Sequence, residues 1–325
     1  MPITTVDQDL EALTLRVVAE FPVPVRRLWD AYADPRQIER FWGPPEWPAT
    51  FTRHDMFPGG RSAYYMTSPE GEASGGYWEF LDVDEPRSFE VRDGFTTSEG
   101  DPDPELPSMR MTFEFEEAGE GSRLVTTTYF DSLEQLEQLL AMGMREGMTA
   151  AMGQIDDVLQ DPAPLDPARG TVSQEIGDRR VRVSRVLRGD AERVWRAHHD
   201  PELMRRWMLG PDGWTLPVCE VAEEAGEAYR YEWESEDGSE RFGFTGEVLH
   251  LEAPRRVVTT ERMIDAGPTE TVNELTITPL EGGTLVSTLI TYPDGETRAQ
   301  ILGTGMVHGM EDSYARLERE VLQGA

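Results

Sequence analysis

The sequence predicts an α+β fold built twice: each copy a curved antiparallel sheet wrapped around a long C-terminal helix, with two short helices after the first strand. Three observations predict it. Four sequence blocks recur in the same order at nearly constant offset. Each copy begins with a period-two strand, two short helical stretches and a series of strand-like runs broken by turns. Each copy closes on one long helical pattern.

The recurrence is direct. Val25-Arg-Arg-Leu-Trp29, Asp34-Pro35 and Arg40-Phe-Trp42 in the first copy match Ala191-Glu-Arg-Val-Trp195, Asp200-Pro201 and Arg206-Trp207 in the second, at offsets of 166 and 165. The run Glu79 to Pro86-Arg87 matches Glu247 to Pro254-Arg255 at 168, and Gly143 to Met148 matches Gly305 to Met310 at 162. The copies run over residues 12–160 and 178–323. Residues 161–177 join them, and Pro162, Pro164 and Pro167 make that joint a stiff, Pro-rich linker.

Within a copy the elements follow in order. Leu13, Leu15, Val17, Ala19 and Phe21 alternate with more polar residues and predict a half-buried strand. Val25 to Tyr32 and Pro35 to Phe41 read as the two short helices. Pro35 and Pro201 suit a helix's first turn, and Asp190 suits an N-cap. About six strands follow, with turns at Pro58-Gly-Gly60, Ser68 to Gly71, Asp84 to Pro86 and Gly119 to Gly121. Met111, Phe113 and Phe115 share one face of a late strand. Ser132 with Gln135 is a capping box opening a long helix to about Leu159, and its counterpart runs from about Glu296 to Leu322.

Composition narrows the function classes. The 325 residues hold 62 Asp+Glu against 30 basic residues, all arginine, for a net charge of -32. Such a balance argues against nucleic acid or an anionic membrane as a partner. There is no apolar run long enough to span a bilayer and no signal-peptide pattern at the start, so a soluble, cytoplasmic protein is expected. The single cysteine, Cys219, excludes an internal disulfide and reads as an inert buried thiol. The run Glu99 to Glu105 is an acidic, proline-broken loop rather than a metal loop. None of the five histidines pairs at metal-ligand spacing, and no phosphate-binding glycine motif is present. No metal, cofactor or catalytic residue is expected.

The Trp29 and Trp195 helix blocks, the Asp-Pro turns, the Trp42 and Trp207 blocks, the Pro-Arg turns and the Gly-Met pairs of the last helix together resemble the START and Bet v 1-like helix-grip superfamily (SRPBCC). Within it the chain is most similar to the family related to the C-terminal domain of the activator of Hsp90 ATPase, twice over. The likeness implies a cavity between sheet and long helix. This sequence has Gly-Met where that family has Gly-Trp, at Met148 and Met310, which could reshape the pocket wall.

The candidate ligand-binding residues are Trp42, Met144, Gly147, Met148 and Met152 in the first copy, and Trp207, Met306, Gly309 and Met310 in the second. The methionines recur at i, i+4 beside glycines and form a soft wall. A glycine inside a helix costs about 1 kcal/mol against alanine, so these need a reason: close helix-on-sheet approach, or room for a ligand. Trp42 and Trp207 fall where the second short helix turns into the next strand, the rim of a helix-grip cavity. Tyr64, Tyr65, Tyr77 and Trp78, and Tyr229, Tyr231, Trp233, Phe242 and Phe244, lie on strands, and alternation turns only part of them inward. His54, Arg61, His250, Glu261 and His308 are the polar residues that could reach a cavity. The expected function is binding of a small hydrophobic or amphipathic ligand without catalysis. The alternatives are a polyketide cyclase or aromatase-like enzyme and a chaperone-interacting module with a protein partner.

Overall fold

The structure is a computed structural model that describes residues 3–97 and 100–323. Glu99, the start of the expected acidic loop, lies outside the described residues. The chain divides after Pro164 into two units.

The first unit runs β1 (Ile3–Asp9), β2 (Thr14–Phe21), α1 (Val25–Ala33), α2 (Pro35–Ile38), β3 (Ala49–His54), β4 (Arg61–Thr67), β5 (Ala73–Asp84), β6 (Ser88–Phe95), β7 (Met109–Ala118), β8 (Gly121–Tyr129), α3 (Leu133–Ala141), α4 (Met144–Gly153) and α5 (Ile155–Leu159). Its strands form one antiparallel sheet in the order β1-β2-β8-β7-β6-β5-β4-β3. The second unit repeats the order: β9 (Val172–Ile176), β10 (Arg180–Leu187), α6 (Ala191–His199), α7 (Pro201–Trp207), β11 (Trp214–Glu220), β12 (Ala228–Ser235), β13 (Arg241–Glu252), β14 (Arg256–Met263), β15 (Glu270–Leu280), β16 (Gly283–Thr291), α8 (Gly295–Gly303) and α9 (Met306–Leu317), closed by a π-helical turn over Glu318–Leu322. Its sheet has the matching order β11-β12-β13-β14-β15-β16-β10-β9. These are two tandem α+β helix-grip domains.

Local chemistry explains the helix starts. Asp34 accepts from the Arg36 N–H, Asp190 from the Arg193 N–H, and Asp200 from the Glu202 and Leu203 N–H groups. Ser132 accepts from the Gln135 N–H, as a capping box requires, while the Gln135 side chain takes the Asp131 N–H instead of that of Ser132.

Two features differ from the sequence expectation. Each sheet has an extra edge strand, β1 or β9. Both are hairpinned onto the first apolar strand. Strand β1 is almost wholly exposed and polar, so it carries no alternation to read; its acids suit an edge that must not recruit another strand. Strand β9 and two short 3-10 turns, Ala163–Leu165 and Pro167–Arg169, lie inside residues 161–177, so that interval is not bare linker. The long closing helix is also broken in both domains. Gly143 and Gly305 sit at φ +86° and +84°, a left-handed conformation that ends one helix and starts the next. The glycines that looked like helix-interior residues at these positions are therefore breaks. Gly147 and Gly309 are within helices, and a Cβ on either would meet nothing within 4 Å. Close approach to the sheet does not explain them.

Candidate functional site

In each domain the helices pack on one face of the sheet, and strand register says which side chains share that face. In the second domain Leu187, Val286 and Ile277 meet Val194, Ala197, Tyr314 and Leu317 of the helices. Leu285 and Ser287 alternate to the other face, so the inner rows continue by steps of two. They run Val257, Thr259, Glu261 along β14; Thr271, Asn273, Leu275, Ile277 along β15; and Val286, Thr288, Ile290 along β16. Cross-strand pairing locks them together: Val257 with Leu275, Thr259 with Asn273, Glu261 with Thr271, Leu275 with Thr288, Asn273 with Ile290.

The centre of this inner face keeps partial exposure. Thr259, Glu261, Asn273, Leu275 and Thr288 are only half-buried, as are Tyr231 on β12, Trp195 on α6 and Met310 on α9. Around them stand separate apolar clusters. One joins Val181, Val183, Ile290 and Tyr292 with Met306 and Met310 packed on it. Another joins Ala222, Tyr229, Val248 and Val257 with Trp195, Tyr231 and Leu275 packed on it. Residues that bridge clusters yet keep exposure line space rather than fill it.

The same rows in the first domain carry larger, more apolar side chains. Phe89 and Val91 precede Asp93 on β6, and Met109, Met111, Phe113 and Phe115 run along β7. Phe89 and Phe113 stack at 4.4 Å, Trp29 lies edge-on to Phe115 at 5.2 Å, and Trp42 lies edge-on to Trp78 at 4.5 Å. Phe89, Val91, Met111, Phe113 and Phe115 are buried. An aromatic core buries the rows that stay half-exposed in the second domain.

One polar position is common to both. Asp93 and Glu261 are 168 residues apart, the offset of the flanking repeat block. Asp93 Oδ1 accepts from Trp78 Nε1 at 2.8 Å and from the Tyr64 hydroxyl at 3.3 Å. Burial pushes its carboxyl up to about 7 against the pull of those two bonds. Burial also raises Glu261, against hydrogen bonds from Asn273 and Tyr229. The Tyr229 hydroxyl lies 3.4 Å from Glu261 Oε2 and donates to the Thr260 carbonyl at 2.8 Å. Gly246 lets this happen: a Cβ there would meet the Thr260 carbonyl oxygen at 1.9 Å and Tyr229 Cε1 at 3.0 Å. Thr271 donates to Asn273 Oδ1 at 3.0 Å, which turns the Asn273 amide N–H toward Glu261.

The sequence-nominated residues fall in three places. Met306 and Met310 do lie over β10 and β16, with the Tyr292 hydroxyl 3.7 Å from the Met306 sulfur. Trp207 is buried beneath α9, stacked on Tyr314 at 5.8 Å, and its indole N–H donates to the Ala197 carbonyl at 2.8 Å. Trp42 belongs to the first domain's aromatic group beside Trp78 and Tyr64. Met152 is buried, and Met144, Gly147 and Met148 are half-buried on α4; Gly309 is half-buried on α9. Of the polar candidates, Glu261 faces inward. His54 is buried between the Tyr32 carbonyl and Ser62 Oγ, both at 2.8 Å. Arg61 pairs with Glu79 at 2.7 Å, and His250 and His308 are exposed. Cys219 is buried, and burial raises its thiol. Asp93 was not nominated. The readable signal was a charge closing the apolar row Phe89-x-Val91, at the same repeat position as Glu261. Among the described residues no group of three His, Cys, Asp or Glu is arranged to hold a metal ion. No described helix is long and apolar enough to cross a membrane.

The family described as Activator of Hsp90 ATPase homolog 1-like protein matches residues 22–160 and again 188–321. The chain belongs to this family. Solved structures similar to this chain include protein Ms6760 from Mycobacterium smegmatis, 46% identical over 49% of this chain and 98% of its own, TM-score 0.45. A protein from Arthrobacter aurescens is 44% identical over 49% of this chain and 93% of its own, TM-score 0.47. DynU16, from the dynemicin biosynthetic locus, spans 94% of this chain and 98% of its own at 16% identity, TM-score 0.34. No curated protein matches the chain.

Proposed function

We propose that this protein binds a small apolar or amphipathic ligand inside its second domain, without chemistry of its own. The observation that carries the reading is the half-exposed inner row Thr259, Leu275 and Thr288, facing Met310 and Trp195, where the first domain has buried Val91, Phe113 and Thr126. An apolar wall with a few convergent polar groups is what a small-molecule site requires. Met306 and Met310 supply adaptable contacts, and Gly309 leaves room on the same helix.

Leu275→Phe with Thr259→Val gives the second domain two of the first domain's side chains. The uncharged probe N-phenyl-1-naphthylamine should bind the wild type with a blue-shifted emission and fail to bind this variant, while thermal stability holds or rises. Were the interior already packed, the added ring would cost about 1–3 kcal/mol. A destabilised variant, from a wild type that takes up no probe, would contradict the reading.

A further inference from the structure

Three acids that this fold buries are matched with arginine. Asp30 pairs with Arg26 at 2.9 Å, Asp34 with Arg36 at 2.7 Å, and Glu318 with Arg185 at 2.9 Å. Asp93 and Glu261 break the pattern, and of the two only Glu261 lies beside half-exposed inner-face residues rather than under Trp78 and Tyr64. The polar side chains beside Glu261 are Asn273 and the Tyr229 hydroxyl, both neutral, and no described arginine pairs with it. Arg298 on α8 is committed to Glu175 at 2.6 Å and to the Gly177 carbonyl at 2.8 Å. A carboxylate taken out of water with no cation is costly, so such a group persists where something else supplies the charge.

The surroundings select the kind of group. Glu261 closes the inner row of β14, next to the partly filled space already described. The rings of Tyr229 and Tyr231 lie 5.0 Å apart beside it, with Trp233 6.2 Å beyond Tyr231. Aromatic faces flanking a carboxyl favour a cation over an anion or a second acceptor. Asn273 has its carbonyl held by Thr271 and gives an amide N–H to Glu261. The net charge of -32 raises the local concentration of cations and lowers that of anions.

We propose that Glu261 is the anchor for a protonated amine, so that the second domain's ligand is an amine carried on an apolar body. The inference rests on the reading that this interior binds a ligand. The ammonium sits between the Glu261 carboxylate and the tyrosine rings, and the apolar body extends over Leu275 toward Met310. The first domain keeps a carboxyl at the same position, but Trp78 and Tyr64 occupy it and aromatic side chains fill the space beyond, so Asp93 is not an anchor.

The test compares two probes with one body. 1-Naphthylmethylamine is protonated at neutral pH; 1-naphthylmethanol is not. Each is titrated into the full chain by calorimetry. The amine should bind about tenfold or more tightly than the alcohol, as expected of a desolvated charge pair. Glu261→Gln should bring the amine down to the alcohol's affinity and leave the alcohol unchanged, with an unaltered circular dichroism spectrum. Asp93→Asn should change neither. Equal binding of amine and alcohol, or a preference retained in Glu261→Gln, overturns the amine anchor and leaves ligand binding standing. Failure of both probes to bind overturns both readings.

Discussion

Phe113 and Leu275 occupy one place in two copies of one fold, and the difference between them separates the domains. Phe113 is buried and stacked on Phe89 at 4.4 Å. Leu275 pairs with the residue in the place of Phe89, Val257, and with Thr288, and it stays half-buried. Met111 against Asn273 and Val91 against Thr259 repeat the contrast. The helix side shows a further divergence. Arg185 in the second domain turns inward to hold Glu311 at 2.6 Å and Glu318 at 2.9 Å, where Ala19 of the first domain is a buried apolar residue. The lesson is that sheet order, caps and turns can be kept while the interior moves from packed to lined.

Truncation should expose that contrast most strongly. Phe113→Ala removes a fully packed ring and should destabilise the first domain by about 3–5 kcal/mol. Leu275→Ala removes a side chain that already borders space and should cost the second domain only about 1–2 kcal/mol. Calorimetric unfolding of the two variants measures both. Equal losses would mean the two interiors are packed alike.

A smaller effect comes with pH. Asp93 is raised from 3.8 to about 7 in the folded chain, so folding favours its neutral form. Its contribution is full below about pH 4 and is lost as pH rises through about 7. Asp93→Asn should remove that part of the pH dependence and make the first domain more stable at pH 8. Unfolding followed at pH 5 and pH 8 in wild type and variant checks the sign; a variant that loses stability at pH 8 would contradict it.

The smallest effect separates two glycines of one motif. Gly143 holds φ +86°, and Gly143→Ala should cost about 1–2 kcal/mol for forcing a Cβ into that conformation. Gly147 is helical with open space at its Cβ, and Gly147→Ala should be neutral or stabilising by up to about 1 kcal/mol.

The repeat made the architecture legible, because recurring Trp, Asp-Pro and Pro-Arg blocks fix where helices and turns fall. Edge strands β1 and β9 were not legible: β1 is almost wholly exposed, and β9 is exposed between its two ends, so neither needs alternation. The helix breaks were hidden because glycine at i and i+4 reads the same whether it bends the chain or thins a helix. The second domain's Met306 and Met310 were legible from helical spacing. Glu261 was noticed but could not be oriented, because the run Val257-Val-Thr-Thr260 before it has no apolar alternation to mark the inner face; its pairing with Thr271 does that. The difference between a filled and a lined interior emerged only when the two copies were read residue against residue, Phe113 with Leu275 and Val91 with Thr259.

The most direct measurement is the stoichiometry of N-phenyl-1-naphthylamine on the full chain, by calorimetry with fluorescence as a second readout. The account predicts one site per chain, lost with Leu275→Phe and Thr259→Val and kept with substitutions in the aromatic core of the first domain. Two equal sites per chain, or a single site that survives the second-domain substitutions, would contradict it.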